Sequence, residues 1–269
     1  MSKITPSALG TAVVTGASSG IGKVYAERLA RQGYDLHLVA RREDRLKQLA
    51  ETLTSTYGIA VQMTTADLAK PEHVHGLAQT LAADTSLTML VNNAGVALMA
   101  SIADSDPMEA SAMIALNITA LTQLTIAVLS GFKARNRGTI INIGSAVAFG
   151  VYPGTGIYSS TKAYILQFTR TLQAELAGTK VVAQLVAPAA TISEGFDRAI
   201  ASMPEMDPAM VMTTEDCVDA SLQGLANGEA ITIPPAEDAG LIAALTSASN
   251  ALFAACMTGK PASRYGLTN

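Results

Sequence analysis

A chain of 269 residues with 49% hydrophobic side chains and a mean hydropathy of +0.30 holds enough apolar material for one large core, and single α/β domains commonly reach this size. A formal charge of −4, a pI near 5.4 and the lack of any Lys/Arg stripe exclude the electrostatic footprint that grips a nucleic-acid backbone. Charged residues make up 15%, against ~25% in an average soluble protein, so apolar surface is expected to hide in a cleft or between subunits of a homodimer or homotetramer. Cys217 and Cys256 stand outside any C-x-x-C pair and suit a reducing compartment as unpaired thiols. Residues 1–10 lack the basic and apolar regions of a secretory signal, so the expected location is the cytoplasm, without membrane contact.

Short β-rich runs alternate with amphipathic segments along one expected domain, 1–269. Thr11–Thr15, Leu36–Ala40, Val61–Thr65, Thr88–Asn92, Thr139–Ile143, Val182–Val186 and Ile231–Ile233 are predicted strands. Helical spacing covers roughly 20–32, 43–56, 71–83, 107–134, 155–177 and 214–227. This alternation, with near-continuous apolar strands, predicts an α/β Rossmann-like doubly wound parallel sheet of about seven strands with helices on both faces. Such sheets bind ligands beyond the carboxyl ends of their strands.

The first strand runs into Thr15-Gly16-Ala17-Ser18-Ser19-Gly20-Ile21-Gly22, followed by a helix. Glycines there permit a tight turn and close approach to a pyrophosphate, whose charge the helix N-terminus stabilises. Gly16, Ser18, Ser19, Gly20, Ile21 and Gly22 are therefore candidate cofactor contacts. A P-loop needs Gly-Lys-Ser/Thr, whereas Gly22-Lys23 is followed by Val24, so phosphoryl transfer loses its main support.

The second strand ends at Ala40-Arg41-Arg42, where a site for the unphosphorylated dinucleotide normally offers a carboxylate. Arginine matches phosphate oxygens bidentately, so NADP(H) is the preferred cofactor, with NAD(H) a possible one. The ordinary alternative is a solvated pair opening the next helix, with Glu43 as its partner. Asp67-Leu68 closes the third strand, where the carboxylate can accept from an adenine amino group or simply cap a turn. Asn92-Asn93-Ala94-Gly95 closes the fourth, so Asn93, Ala94 and Gly95 lie beside a cofactor or in an ordinary turn.

Ser145 ends the fifth strand, and Tyr158 and Lys162 follow four residues apart on the next helix, sharing one face. Phenols ionise near pH 10, and an ammonium within ~4–6 Å favours the phenolate by ~1–3 pKa units. The spacing therefore predicts a tyrosine acid/base made more acidic by lysine, with Ser145 able to bond the substrate oxygen. Asn117, in an otherwise apolar helix, can anchor a water that connects Lys162 to solvent. Each has a bland reading as surface pair, cap or tolerated polar residue; their joint order after a dinucleotide turn does not.

The sequence resembles the short-chain dehydrogenase/reductase family over nearly its whole length. The matching motifs are the T-G-x-x-x-G-x-G turn at Thr15–Gly22, N-N-A-G at Asn92–Gly95, Asn117, Ser145, and Y-x-x-x-K at Tyr158/Lys162. The resemblance implies a hydride transfer between nicotinamide and a small-molecule carbonyl or alcohol. It assigns Tyr158 as general acid/base, Lys162 to the nicotinamide ribose and the tyrosine pKa, Ser145 to substrate orientation and Asn117 to a proton relay. Pro188-Ala189-Ala190-Thr191-Ile192-Ser193 is similar to the family's P-G-x-x-x-T segment, which binds the carboxamide and would place Pro188, Thr191 and Ser193 at the cofactor. Here Ala189 replaces glycine, a residue that tolerates positive φ poorly, and Ser193 replaces threonine.

An insertion over the cleft is expected near 193–213, which carries Met203, Pro204, Met206, Pro208, Met210 and Met212. An uncharged stretch from Ala239 to Gly259 is broken by Thr246, Ser247, Ser249 and Asn250, so it reads as an apolar helix near 239–257 for packing or a subunit interface rather than a membrane span. His73 and His75, two apart, do not share a helix face and His37 lies in a strand, so no metal is expected. Phe149, Val151, Tyr152 and the methionines suggest an apolar or aromatic substrate for a carbonyl reductase. The competing readings are a non-catalytic nucleotide sensor, which has no need of Asn117, Ser145, Tyr158 and Lys162 together, and an enzyme for a thioester or sugar.

Overall fold

The computed structural model describes residues 6–194 and 207–267. Seven strands, β1 (Thr11–Thr15), β2 (Asp35–Ala40), β3 (Val61–Thr65), β4 (Leu87–Asn92), β5 (Gly138–Ile143), β6 (Val181–Val186) and β7 (Ile231–Thr232), form one parallel sheet in the order β3-β2-β1-β4-β5-β6-β7. The order reverses between β1 and β4, which places the crevice for a ligand at their carboxyl ends.

Alternation along each strand sends side chains to opposite faces, and each face is covered by helices. Val14, Leu36, Leu38 and Val91 pack against Val24 and Leu29 of α1 (Gly20–Gln32), Leu46 and Leu53 of α2 (Glu43–Tyr57), and Val218 of a later helix, α7 (Thr214–Ala226). On the other face Val13, Val39, Leu90 and Ile140 meet Leu77 and Leu81 of α3 (Pro71–Ala83), Leu124, Val128 and Phe132 of α5 (Leu121–Arg135), and Leu172 of α6 (Gly156–Glu175). Fully burying one such leucine contributes roughly 1.5–3 kcal/mol, so the two layers, not helix propensity, hold the helices in place.

The helix predicted over 107–134 is broken into α4 (Pro107–Ile114), a π turn (Ala115–Ala120) and α5. Asn117 lies inside the π turn and is 1% exposed. The extra residue of a π turn shifts the phase of the apolar pattern, but in a segment as apolar as Pro107–Arg135 there is no clear polar face to show that shift; π turns concentrate at functional sites. The run Pro107–Arg135 is long and apolar enough to cross a membrane, with mean hydropathy 1.8, yet Met113, Leu124, Val128 and Phe132 are buried in the protein.

The chain forms two compact units, Met1–Pro235 and Ala236–Asn269. The second holds α8 (Gly240–Cys256), which has no buried residue, and a short 3₁₀ turn at Ser263–Tyr265. Of the predicted insertion, 195–206 lie outside the described residues, including Met203, Pro204 and Met206. Its described end forms a 3₁₀ turn at Pro208–Met210 and then a one-residue bridge from Met212 to Thr191. Cys217 is buried, Cys256 is exposed, and both are free thiols.

Candidate active site

The turn between β1 and α1 is stapled from β4. Asn93 Nδ2 donates to Thr15 O at 2.9 Å and Gly16 O at 3.4 Å, while the main-chain amides of Asn93 and Ala94 each donate to Thr15 Oγ1 at 3.0 Å. A Cβ at Gly22 would stand 2.4 Å from Asn93 Nδ2 and 2.5 Å from Gly16 O, so glycine is required there by the turn's own packing. Gly16 has φ +69, a region that favours glycine. Ser19, extended at φ −168, makes no side-chain cap on α1, and the uncapped N–H groups with the helix dipole form a place for an anion.

Arg42, at the end of β2, reaches the same turn. Its Nη2 donates to Ser19 Oγ at 2.8 Å and Ser18 Oγ at 3.1 Å, and its Nη1 to Glu194 Oε2 at 2.6 Å. Arg41, its predicted equal, is exposed and makes no hydrogen bond or ion pair among the described residues. Glu43 pairs with Lys47 at 2.6 Å rather than with either arginine. Asp67 Oδ1 accepts from Ala69 N at 3.1 Å, the turn-capping alternative, and Leu68 is buried in the core.

The remaining candidates converge between β5 and α6. Ser145 follows β5, caps the 3₁₀ turn Ala146–Phe149 and donates to Pro188 O at 3.3 Å; its hydroxyl lies close enough to the Tyr158 phenol to favour the ionised form. Lys162 is 7% exposed, with Nζ donating to Ile143 O at 2.9 Å and lying 5.7 Å from the Tyr158 ring centroid. Asn117 Oδ1 accepts from Val96 N at 2.9 Å, and its Nδ2 donates to Val96 O at 2.9 Å and Thr161 Oγ1 at 3.1 Å. The amide therefore ties the loop after Gly95 and helix α6 to the π turn.

The expected acidification of Tyr158 by Lys162 is not what the geometry gives. Burial raises the phenol above its ordinary value and outweighs the Ser145 hydrogen bond, which lowers it. Burial likewise pushes Lys162 down to about 8. Both groups lose hydration, and desolvation disfavours whichever form is charged.

Pro188 O also accepts from Ala146 N at 2.8 Å, fixing the loop after β6 against Ser145. Among the described residues Asn136 is the one non-glycine at positive φ, so Ala189 adopts an ordinary conformation and its replacement of glycine costs no backbone strain. Thr191 is buried with its hydroxyl on Ala189 O at 3.1 Å, and Ser193 lies against Gly20, whose Cβ would come within 3.0 Å of Ser193 Cβ.

The site thus joins a stapled glycine turn, an arginine laid across that turn, and a Ser–Tyr–Lys cluster in which Ser145 and Lys162 are buried and Tyr158 is half-buried. The sequence profile of the short chain dehydrogenase family matches residues 10–203. The chain belongs to this family. This short-chain dehydrogenase is 40% identical to a short-chain dehydrogenase from Sphingobium yanoikuyae solved in complex with NADPH, with TM-score 0.90 over 95% of this chain and 100% of that one. It is 35% identical to the bulky-bulky ketone specific alcohol dehydrogenase from Comamonas testosteroni, with TM-score 0.87 over 95% and 98% of the two chains. Among curated proteins it is 37% identical to very-long-chain 3-oxoacyl-CoA reductase-A from Danio rerio over 66% of this chain, and the match spans 56% of that protein's length. The family's members are oxidoreductases acting on CH–OH or C=O groups, and so is this dehydrogenase.

Sequence reasoning missed Thr15 and Thr161 as organisers, and Arg45 and Glu194 as partners in the anion site. Thr15 stood inside the glycine motif and its hydroxyl at a strand end was the available signal. Glu194 offered none, because it meets Arg42 across 152 positions of chain.

Proposed function

We propose that this dehydrogenase is an NADP(H)-dependent carbonyl reductase for bulky apolar ketones or aldehydes, running as an alcohol dehydrogenase when oxidised cofactor is in excess. The observation that carries the reading is the Ser145–Tyr158–Lys162 cluster at the carboxyl end of β5, in hydrogen-bond reach of one another or of the strand end. The dinucleotide fits the residues present: an uncapped α1 for its pyrophosphate, Arg42 with Ser18 and Ser19 for its 2′-phosphate, Asp67 and Leu68 toward adenine, and the Asn93–Gly95 and Pro188–Ser193 segments beside the nicotinamide half. When bound, the cofactor supplies or accepts the hydride.

The chain's own residues handle the oxygen and the proton. Ser145 donates a hydrogen bond to the carbonyl oxygen, and Tyr158, a phenol whose pKa burial raises, gives it a proton as general acid. Lys162 is held by Ile143 O beside the tyrosine ring, where its remaining donors would hold the ribose of a bound cofactor.

The substrate class is read from the loops that follow β4, β5 and β6. They expose Val96, Ile102, Val151, Tyr152, Ile192 and Met210, and Ile102 comes close to Gly156 at the start of α6. Exposed apolar side chains grouped at a cleft mark a binding surface. The name of the Comamonas enzyme supports the same class. An NADPH-consumption screen over aldehydes, keto esters and ketones of increasing apolar bulk, with a 3-oxoacyl thioester included, tests the reading. Best kcat/KM on bulky ketones is expected; exclusive use of the thioester, or no NADPH oxidation with any carbonyl, would overturn it.

Arg42→Ala should weaken NADPH binding by about 10–150-fold, the loss of a charge-assisted contact of ~1.5–3 kcal/mol, and spare NADH. Arg41→Ala should leave both cofactors nearly unchanged, since that side chain is exposed and makes no hydrogen bond to the turn among the described residues. Titration of each variant with both cofactors checks this, and an equal loss of NADH in Arg42→Ala would remove the phosphate role.

We also propose a cytoplasmic homodimer or homotetramer. Support comes from the apolar stripe of α8, where Leu245, Leu252 and Phe253 are exposed, and from the burial of Met113, Leu124, Val128 and Phe132 within the apolar run Pro107–Arg135. Light scattering at micromolar concentration should give a dimer or tetramer mass, and Leu252→Asp should lower that mass without lowering Tm. A wild-type monomer ends the proposal.

A further inference from the structure

Resting on the NADP(H) reading above, we propose that Arg42 and Arg45 form a two-guanidinium clamp in which the Glu194 carboxylate holds the place of the cofactor's 2′-phosphate, so that Glu194 tempers the preference for the phosphorylated dinucleotide.

Arg42 is the N-cap of α2, and Arg45 follows three residues later on the same helix face. One carboxylate answers both: Glu194 Oε2 accepts from Arg42 Nη1 at 2.6 Å, and Oε1 accepts from Arg45 Nη1. The rest of the Arg42 fork lies on Ser18 and Ser19 of the glycine turn. The two guanidiniums hold the Glu194 carboxyl down to about 2, so it is an anion throughout the working pH range.

Glu194 is delivered by anchored backbone. Ile192 N donates to Met212 O at 2.9 Å and Met212 N to Ala190 O at 2.9 Å, while the buried Thr191 hydroxyl donates to Ala189 O at 3.1 Å. Ser193 rests on Gly20. Ala190 and Ile192 are therefore tied to Met212, and two residues on, the Glu194 carboxylate stands between two arginines that a phosphate monoester would also use.

A phosphate dianion carries the same sign of charge with one more oxygen, so it can take the donors of both guanidiniums and the freed serine hydroxyls. Two anions cannot share the clamp, because like charges a few ångströms apart repel even in a partly solvated site. Binding of a 2′-phosphate must therefore turn Glu194 out. A ribose 2′-hydroxyl brings no charge and leaves the carboxylate in place. The competition consequently acts on the phosphorylated cofactor alone. Both ion pairs are partly exposed, and such pairs are individually weak, so the expected effect is modest, about 3–10-fold.

The test uses the full chain and two probes that differ by one group, adenosine 2′,5′-bisphosphate and 5′-AMP, titrated calorimetrically without substrate. Glu194→Gln is expected to tighten the bisphosphate about 3–10-fold and leave AMP unmoved; Arg45→Ala should weaken the bisphosphate by a similar factor. In the double variant the gain from Glu194→Gln should shrink, because half the clamp that the carboxylate blocked is gone. A Glu194→Gln protein with wild-type affinity for both probes overturns the clamp while a retained bisphosphate preference keeps the NADP(H) reading. An equal shift of both probes also overturns it, pointing to a general loosening of the turn. Wild-type protein that binds the two probes equally would overturn the clamp and the NADP(H) reading together.

Discussion

Exchange of Tyr158 for phenylalanine should lower turnover of a good carbonyl substrate by about 10²–10⁴-fold, the size of a general-acid contribution, with NADPH affinity almost unchanged. The ring, its packing and its 5.7 Å approach to Lys162 Nζ remain; only the hydroxyl that meets Ser145 is lost. The pH profile follows from the direction of the shift. Because burial raises the phenol's pKa, the acid form is already present at neutrality and reduction should be level there, declining at alkaline pH. Oxidation needs the phenolate, so its rate should keep climbing with pH through the alkaline range. Measured pH–rate profiles in both directions, on wild type and Tyr158→Phe, check this. A phenylalanine variant with wild-type turnover would assign the proton to another group.

Lys162→Met should destroy activity and stabilise the fold. Lys162 is almost completely buried, and its folded-state value of about 8 lies 2.5 units under the ordinary 10.5, a cost of roughly 3 kcal/mol when charged. Below pH 8 the lysine is charged in both folded and unfolded chains and the fold bears the whole cost. Between 8 and 10.5 the folded form sheds its proton first, so stability rises with pH; above that the cost is gone. Methionine is of similar length and uncharged. After loss of the Ile143 hydrogen bond, worth about 1 kcal/mol, Lys162→Met should gain about 1–2 kcal/mol at pH 7 by the same arithmetic. Denaturation at pH 7 and pH 9.5 should show that the variant loses the wild-type rise with pH. Turnover should drop by at least the ~10²-fold expected for the acid step, and NADPH affinity should weaken with the lost ribose contact. A variant less stable than wild type at pH 7 would mean that the buried charge is better compensated than the Ile143 carbonyl alone provides.

These predictions share residues that differ greatly in how visible they were. The strands stood out because their apolar runs are local: Leu36–Ala40 and Thr139–Ile143 each begin within one residue of the observed β2 and β5. Helix ends were legible for the same reason, as where Gly33 at φ +95 closes α1 on the carbonyls of Leu29 and Ala30. The π turn around Asn117 was not, since the phase shift it introduces leaves no mark in a helix that is apolar nearly all round.

By itself the sequence determined the alternation of strand and helix, the glycine turn, and the order in which Asn117, Ser145, Tyr158 and Lys162 appear. All of these depend on spacing within one element or on residue type at an element's end, which backbone geometry translates directly. Only the tertiary structure decided which of two adjacent arginines meets the turn, that Glu194 closes on it from 152 residues away, and that Tyr158 is made less acidic rather than more. Pairings of that range depend on how successive crossovers wind the sheet, and the sign of a pKa shift depends on how much water the folded site removes relative to the charges it brings near.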